Sequence, residues 1–196
     1  GVASAVLLTA ANVFVFLAYG TTAVVARRLG ADDERGAIAA GIDGLWLAVL
    51  LGGATAVAVA LTSDDLVGLF GADEAAATEA ATYLRVSALG LPSMLVVLAA
   101  TGVLRGLQDT RTPLIVATGG FTANAVLSFV LVHPLGLGIA GAAWGTVAAQ
   151  TAMALVLVAV VARGARRLHA PVSFHHGGVL TAARDGIPLL LRTVAL

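Results

Sequence analysis

Residues 112–162 run without a single aspartate, glutamate, lysine or arginine. A bilayer core of about 30 Å is crossed by about 20 apolar helical residues, and ionisable side chains are costly inside it, so charge-free stretches mark spans. As one helix this stretch would reach about 76 Å at about 1.5 Å per residue, far beyond the membrane, so it folds back on itself. His133, Pro134, Gly136 and Gly138 place the turn, because proline ends a helix and glycine frees the backbone. Residues 1–26, 44–63 and 86–104 are also free of charge. Composition agrees: 59% of the chain is apolar and 11% charged, where a soluble domain carries about 25% charged residues.

The spacing predicts an all-α, polytopic transmembrane helix bundle with spans at about 1–26, 38–62, 80–104, 113–132 and 139–162. A connector follows at 163–185, and a further span begins at 186–196. Loops rich in arginine stay cytoplasmic. Arg27, Arg28 and Arg35 follow the first span, Arg105 and Arg111 the third, and Arg163, Arg166, Arg167 and Arg184 the fifth. The intervening loops hold no arginine, so the alternation is unbroken. The connector is polar, with Pro171 and the Gly177-Gly178 pair, and is expected to be flexible. The start at Gly1 and the stop at Leu196, both inside apolar runs, suggest a fragment.

Composition also excludes some chemistry. There is no cysteine, hence no disulfide, thiolate metal site or thiol nucleophile. All eleven basic residues are arginine, so no P-loop or Schiff-base lysine lies in these residues. The formal net charge is zero, which gives no basic excess for nucleic acid. No cofactor or metal site is expected. Gly136 to Gly141 spells GxGxxG, but it joins two spans and lacks the acidic residue of a dinucleotide fold, so it reads as a turn. His169, His175 and His176 sit in the connector without a carboxylate cluster and read as solvated.

Polar side chains inside spans need partners or water, and they point to a pathway. Asn124 and Ser128 are four apart on the fourth span, and Thr146 and Gln150 four apart on the fifth, so each pair shares a helical face. At about 1.5 Å per residue all four fall in one band about 14 to 22 Å above the inner face. They serve either as hydrogen-bonded glue between two helices or as a cation or substrate site of hard oxygen ligands. Asp43, about 7 Å from the inner end by the same rise, caps a helix, snorkels or lines a cavity. Tyr83 lies near the outer face, where tyrosine anchors spans, and neighbouring Arg85 is expected to pair with an acid of the outer loop. Pro92, after Gly90, predicts a kink or break in the third span.

The run Leu104-Arg105-Gly106-Leu107-Gln108-Asp109-Thr110-Arg111-Thr112-Pro113-Leu114 resembles the LRGxxDTxTP segment after the fourth helix of multidrug and toxic compound extrusion (MATE) transporters, particularly their DinF-like branch. Ala26-Arg27-Arg28-Leu29-Gly30-Ala31-Asp32 is similar to the loop after the family's second helix, and Gly136 to Ala143 to the entry of its sixth. Residues 184–196, with Gly186-Ile187-Pro188 and Leu191-Arg192-Thr193, resemble the start of its seventh. The order of these segments implies helices two to six and the start of seven, the N-terminal lobe of a twelve-helix transporter without its first helix.

The resemblance implies two lobes around a central cavity, exporting organic cations by alternating access against inward proton or sodium movement, and the arginine-only, alanine-rich usage suggests a high-GC bacterium and hence its plasma membrane. The remaining partners would be the lipid bilayer and a C-terminal lobe of the same chain. It further implies a cation site in which Asn124 matches a fifth-helix Asn, Thr146 a sixth-helix Thr and Tyr83 a fourth-helix Tyr. The family's second fifth-helix ligand is an aspartate, and this sequence has Ser128 there; a serine offers one neutral oxygen and cannot carry the proton. Gln150 and Asp43 complete the candidate set. The alternatives are a lipid-linked saccharide flippase of the same superfamily, whose cavity should carry cationic residues, and a non-transporting membrane scaffold.

Overall fold

The computed structural model describes residues 18–68 and 74–184. Among the described residues seven helices follow one another: α1 (residues 18–29), α2 (Glu34–Gly68), α3 (Glu74–Ala88), α4 (Leu91–Gly106), α5 (Arg111–Val132), α6 (Gly138–Arg167) and α7 (residues 176–184). No strand occurs among the described residues. Three of these helices, α2 (from Glu34 to Ser63), α5 and α6, are each long and apolar enough to cross a bilayer, and the α3–α4 pair makes a fourth span if counted as one. Most of the first expected span, residues 1–17, and the last, 186–196, lie outside the described residues.

The third span is broken where Pro92 predicts. Residues 80–88 and α4 meet at 43°. Pro92 has no N–H to give the carbonyl four residues back, and its ring displaces that carbonyl. The backbone tightens instead, with Leu89 N–H on Val86 O at 3.1 Å and Gly90 N–H on Ser87 O at 3.0 Å. On α2, Gly52 leaves the room into which the Pro92 backbone presses; a Cβ there would lie 3.0 Å from Pro92 N.

The core centres on α4, whose Leu95 and Val103 are fully buried, together with Val25 of α1 and Leu157 and Val161 of α6. Gly102 and Gly106, one turn apart on α4, face α1 directly: Cβ atoms there would meet Ala18 and Val25. Thr22 Oγ1 donates across this contact to Gly102 O at 3.0 Å. Small residues let helix backbones approach in lipid, where water supplies no hydrophobic drive for association. By contrast α5 lies at the rim. Only Pro113 and Gly120 on it are buried, and Leu114, Ile115, Phe121 and Phe129 are exposed.

Chain reversals after α1, α4 and α6 share one design. Asp32, Gln108 and His169 adopt left-handed φ angles of 58°, 66° and 52°. The next residue in each case donates its N–H back five residues: Asp33 to Arg28 O, Asp109 to Leu104 O and Ala170 to Ala165 O. This closes the last turn of each helix and satisfies its free carbonyls. Leu29, Gln108 and Leu168 line one shallow cavity, so these three arginine-bearing reversals gather at one end of the bundle. Near the other, Arg85 Nε donates to the buried Ser63 Oγ at 3.0 Å.

The connector departs from expectation. Residues 163–167 complete α6 and residues 176–184 form α7. The segment contributes Ala170 and Val179 to the hydrophobic core. Pro171 keeps its irregular backbone, while Gly177 and Gly178 are drawn into α7, where burial of Val179 outweighs the glycine pair's local preference.

Candidate ion-binding site

Helices α5 and α6 are antiparallel neighbours because the turn between them is short. Gly136 (φ +66°) and Gly138 (φ +53°) occupy the left-handed region with open space around them, so backbone conformation is what requires glycine there. Further along, Gly145 of α6 lies on the α5 backbone: a Cβ would stand 2.9 Å from Ser128 N and 2.7 Å from Ser128 Oγ. That close approach brings the polar faces of the two helices together.

Three oxygens converge there. Ser128 Oγ donates to Asn124 Oδ1 at 3.0 Å. Thr146 Oγ1 lies 3.3 Å from the same Oδ1 and 3.0 Å from Ala142 O, and its single proton serves one of these acceptors at a time. All three side chains are half-buried. Among the described residues nothing accepts from the Asn124 amide N–H groups. A cluster of neutral oxygens with one undetermined proton and one idle donor can rearrange around a small hard cation or a protonated species, since alkali ions and protons both favour oxygen.

The remaining candidates lie elsewhere. Gln150, one turn along α6, turns toward the break in the third span, where its Oε1 would be 2.8 Å from a Cβ on Gly90. Tyr83 on α3 is exposed, and no hydrogen bond among the described residues joins it to the cluster. Asp43 is half-buried on α2 near the arginine-bearing end, with its carboxylate against Gly178 of α7. The structure thus unites Asn124, Ser128 and Thr146 and separates Gln150, Tyr83 and Asp43 from them.

A second polar contact escaped the sequence reading. Ser93 Oγ of α4 and Thr151 Oγ1 of α6 lie 3.0 Å apart, and Thr151 also donates to Val147 O at 2.7 Å. Its signal was present in the spacing. Ser93 and Thr151 stand equally far from Arg105 and Arg163, at a depth of about 18 Å each by the helical rise.

Next to the chain reversal after α4, Asp109 Oδ1 accepts from Thr112 N–H at 3.0 Å and caps the start of α5. Hydrogen bonds from Thr112, first its hydroxyl and then its backbone, hold the Asp109 carboxyl below the usual carboxylate range. Asp33 caps α2 in the same way, accepting from Gly36 N–H at 2.8 Å.

These features define a polytopic helical membrane protein with a half-buried polar cluster between two neighbouring spans. The chain belongs to the MatE family, which matches residues 1–130. It is 40% identical over 116 residues to Protein DETOXIFICATION 44, chloroplastic, of Arabidopsis thaliana, a match covering 58% of this chain and 22% of that protein. It is 31% identical over 142 residues to DNA damage-inducible protein F of Escherichia coli (strain K12), covering 72% and 31% respectively. The chain therefore spans less than a third of either relative. Among solved structures it resembles a multidrug resistance MATE family transporter of the MOP superfamily in its inward-facing conformation, with a TM-score of 0.80 at 25% identity over 96% of this chain and 44% of that one. The outward-facing conformation of such a transporter gives the same TM-score of 0.80 at 26% identity, over 96% and 43%.

Proposed function

We propose that this chain is part of a secondary multidrug transporter that expels organic cations in exchange for inward movement of protons or sodium. Asn124, Ser128 and Thr146 would take the coupling ion. The observation that carries this reading is the convergence of three half-buried side-chain oxygens across the α5–α6 contact. In a bilayer such groups are expensive unless partnered, and they mark ion and substrate pathways by default. Ser128 contributes no charge, so the cluster binds a cation by dipoles alone unless a carboxylate from outside residues 18–184 joins it.

Alternating access follows from the same reading. An ion that binds one packing of the lobes more tightly than the other shifts the balance between them by its differential affinity and by no more than that. Equal likeness to inward- and outward-facing relatives supports a lobe that keeps its internal shape while its orientation changes. On this reading the arginine-bearing end faces the cytoplasm of a bacterium and the bundle sits in its plasma membrane.

The test is efflux of a fluorescent organic cation from vesicles holding the full-length protein under an imposed proton or sodium gradient. Asn124→Leu and Thr146→Val should each lower gradient-driven efflux at least about tenfold, equivalent to about 1.4 kcal/mol, while the protein still inserts and stays monodisperse. Undiminished efflux by both variants would remove the cluster from the mechanism. Loss of folded protein instead would mark it as helix glue.

A further inference from the structure

The segment after α6 is fastened to α2 at two points that the transport reading leaves without a role. Asp43 and Trp46 are three residues apart on α2 and so share a face. Trp46 Nε1 donates to Val172 O at 3.3 Å. Its ring meets Phe174 edge-on, with centroids 5.7 Å apart, and Phe174 in turn meets His176 at 4.7 Å. Two residues further on, Gly178 lies so close to Asp43 that any side chain there would fall on the carboxylate. Gly178 belongs to the first turn of α7, where free N–H groups favour a negative charge. Between and beyond these points Ala170 and Val179 are buried in the core, with Leu168, Ala182 and Ala183 packed against it.

We propose that residues 168–184 form a strap, anchored by Asp43 and Trp46, that stays on the arginine-bearing end of α2 throughout the transport cycle. Relative movement of the two lobes then leaves residues 168–184 in place on α2, and Asp43 acts as a positioning residue for α7 and not as an ion ligand. The inference rests on the reading that a second lobe follows this one. The anchors themselves do not depend on it.

The chemistry of the contact supplies the experiment. These residues contain no cysteine, so an Asp43→Cys/Gly178→Cys pair can be introduced into the full-length protein with any cysteine elsewhere replaced by serine. Gly178 abuts the Asp43 side chain, within reach of a disulfide, which needs Cβ atoms about 3.5 to 4.5 Å apart. Oxidation in membranes should protect both thiols from maleimide. The reduced pair lacks the carboxylate, and trypsin should cut it after Arg167 and Arg184 about two- to fivefold faster than the parent, the factor a charge at a helix N-terminus supplies. Oxidation should reverse that loss and leave cation efflux within about twofold of the parent, a change worth under 1 kcal/mol.

Thiols that stay reactive after oxidation, or an oxidised protein that remains folded yet loses efflux, would overturn the strap. Trp46→Phe, which keeps an aromatic ring while removing the N–H donor and part of the indole, gives an independent reading. It should speed cleavage at the same arginines about threefold, in line with one hydrogen bond, and an unchanged rate would remove Trp46 as an anchor. If the parent expels no organic cation, the thiol and protease readings still decide the strap, and the transport reading fails separately.

Discussion

Helix α6 carries two polar seams, and they differ in kind. Toward α4 it presents Thr151 to Ser93, one hydroxyl pair between a central helix and its neighbour. Toward α5 it presents Thr146 to an asparagine that already accepts from Ser128. The first seam is a closed contact, in which Thr151 also reaches its own helix backbone. The second holds an asparagine amide whose N–H groups find no acceptor among the described residues, beside a threonine proton shared between two acceptors, on a helix that little else encloses. Polar residues at similar depth therefore do different work: one pair joins helices, and the other leaves coordinating capacity open.

The largest expected effect breaks the α5 seam through its geometry. Gly145→Leu would force α6 off the Ser128 backbone. Overpacking of this kind costs on the order of 1–3 kcal/mol, and ion-driven efflux should fall at least tenfold while Ser93→Ala stays near the parent rate. If both variants lose efflux equally, the seams are not distinct. A smaller effect comes from the start of α5. Asp109→Ala should cost about 1 kcal/mol as a lost helix cap, measured by thermal unfolding in detergent, with ion affinity weakened more than the α4 contact.

The same cap gives a pH dependence. The Asp109 carboxyl is depressed in the folded protein from its ordinary value of 3.8. Its contribution is therefore present above that ordinary value and lost as the pH falls through the lower, folded one. An unfolding series on the parent and Asp109→Asn should converge at acid pH; a gap that persists there would deny the cap its charge. The smallest effect sharpens the comparison from the other side. A double-mutant cycle of Ser93→Ala and Thr151→Val should return about 0.6 kcal/mol of coupling, the average for hydrogen bonds between membrane helices, with no change in ion dependence.

The long apolar helices α2, α5 and α6 were legible because charge is so costly in a bilayer that its absence draws their outline, as in residues 112–162. The break at Pro92 was legible for a reason confined to the backbone, and the meeting of Asn124 with Thr146 followed from a short turn and helical spacing. Gln150 shares the Thr146 face by spacing, yet the broken helix opens a second neighbour at Gly90, which one-dimensional arithmetic does not register. The strap was hidden for a related reason. Pro171 and Gly177-Gly178 signal irregular backbone locally, while the contacts that order the segment come from Asp43 and Trp46, more than a hundred residues earlier. Gly178, read as looseness, is a requirement of tight approach.

One consequence follows from the position of α5 at the rim. With only Pro113 and Gly120 buried on this helix among the described residues, and Phe121 and Phe129 exposed, its tilt is set by what surrounds the bundle as well as by α6. On the proposed transport reading, bilayer thickness would then act on the α5–α6 contact, because a membrane helix adjusts its tilt to the hydrocarbon it must match, and lipids of graded chain length would reach Asn124 without touching it.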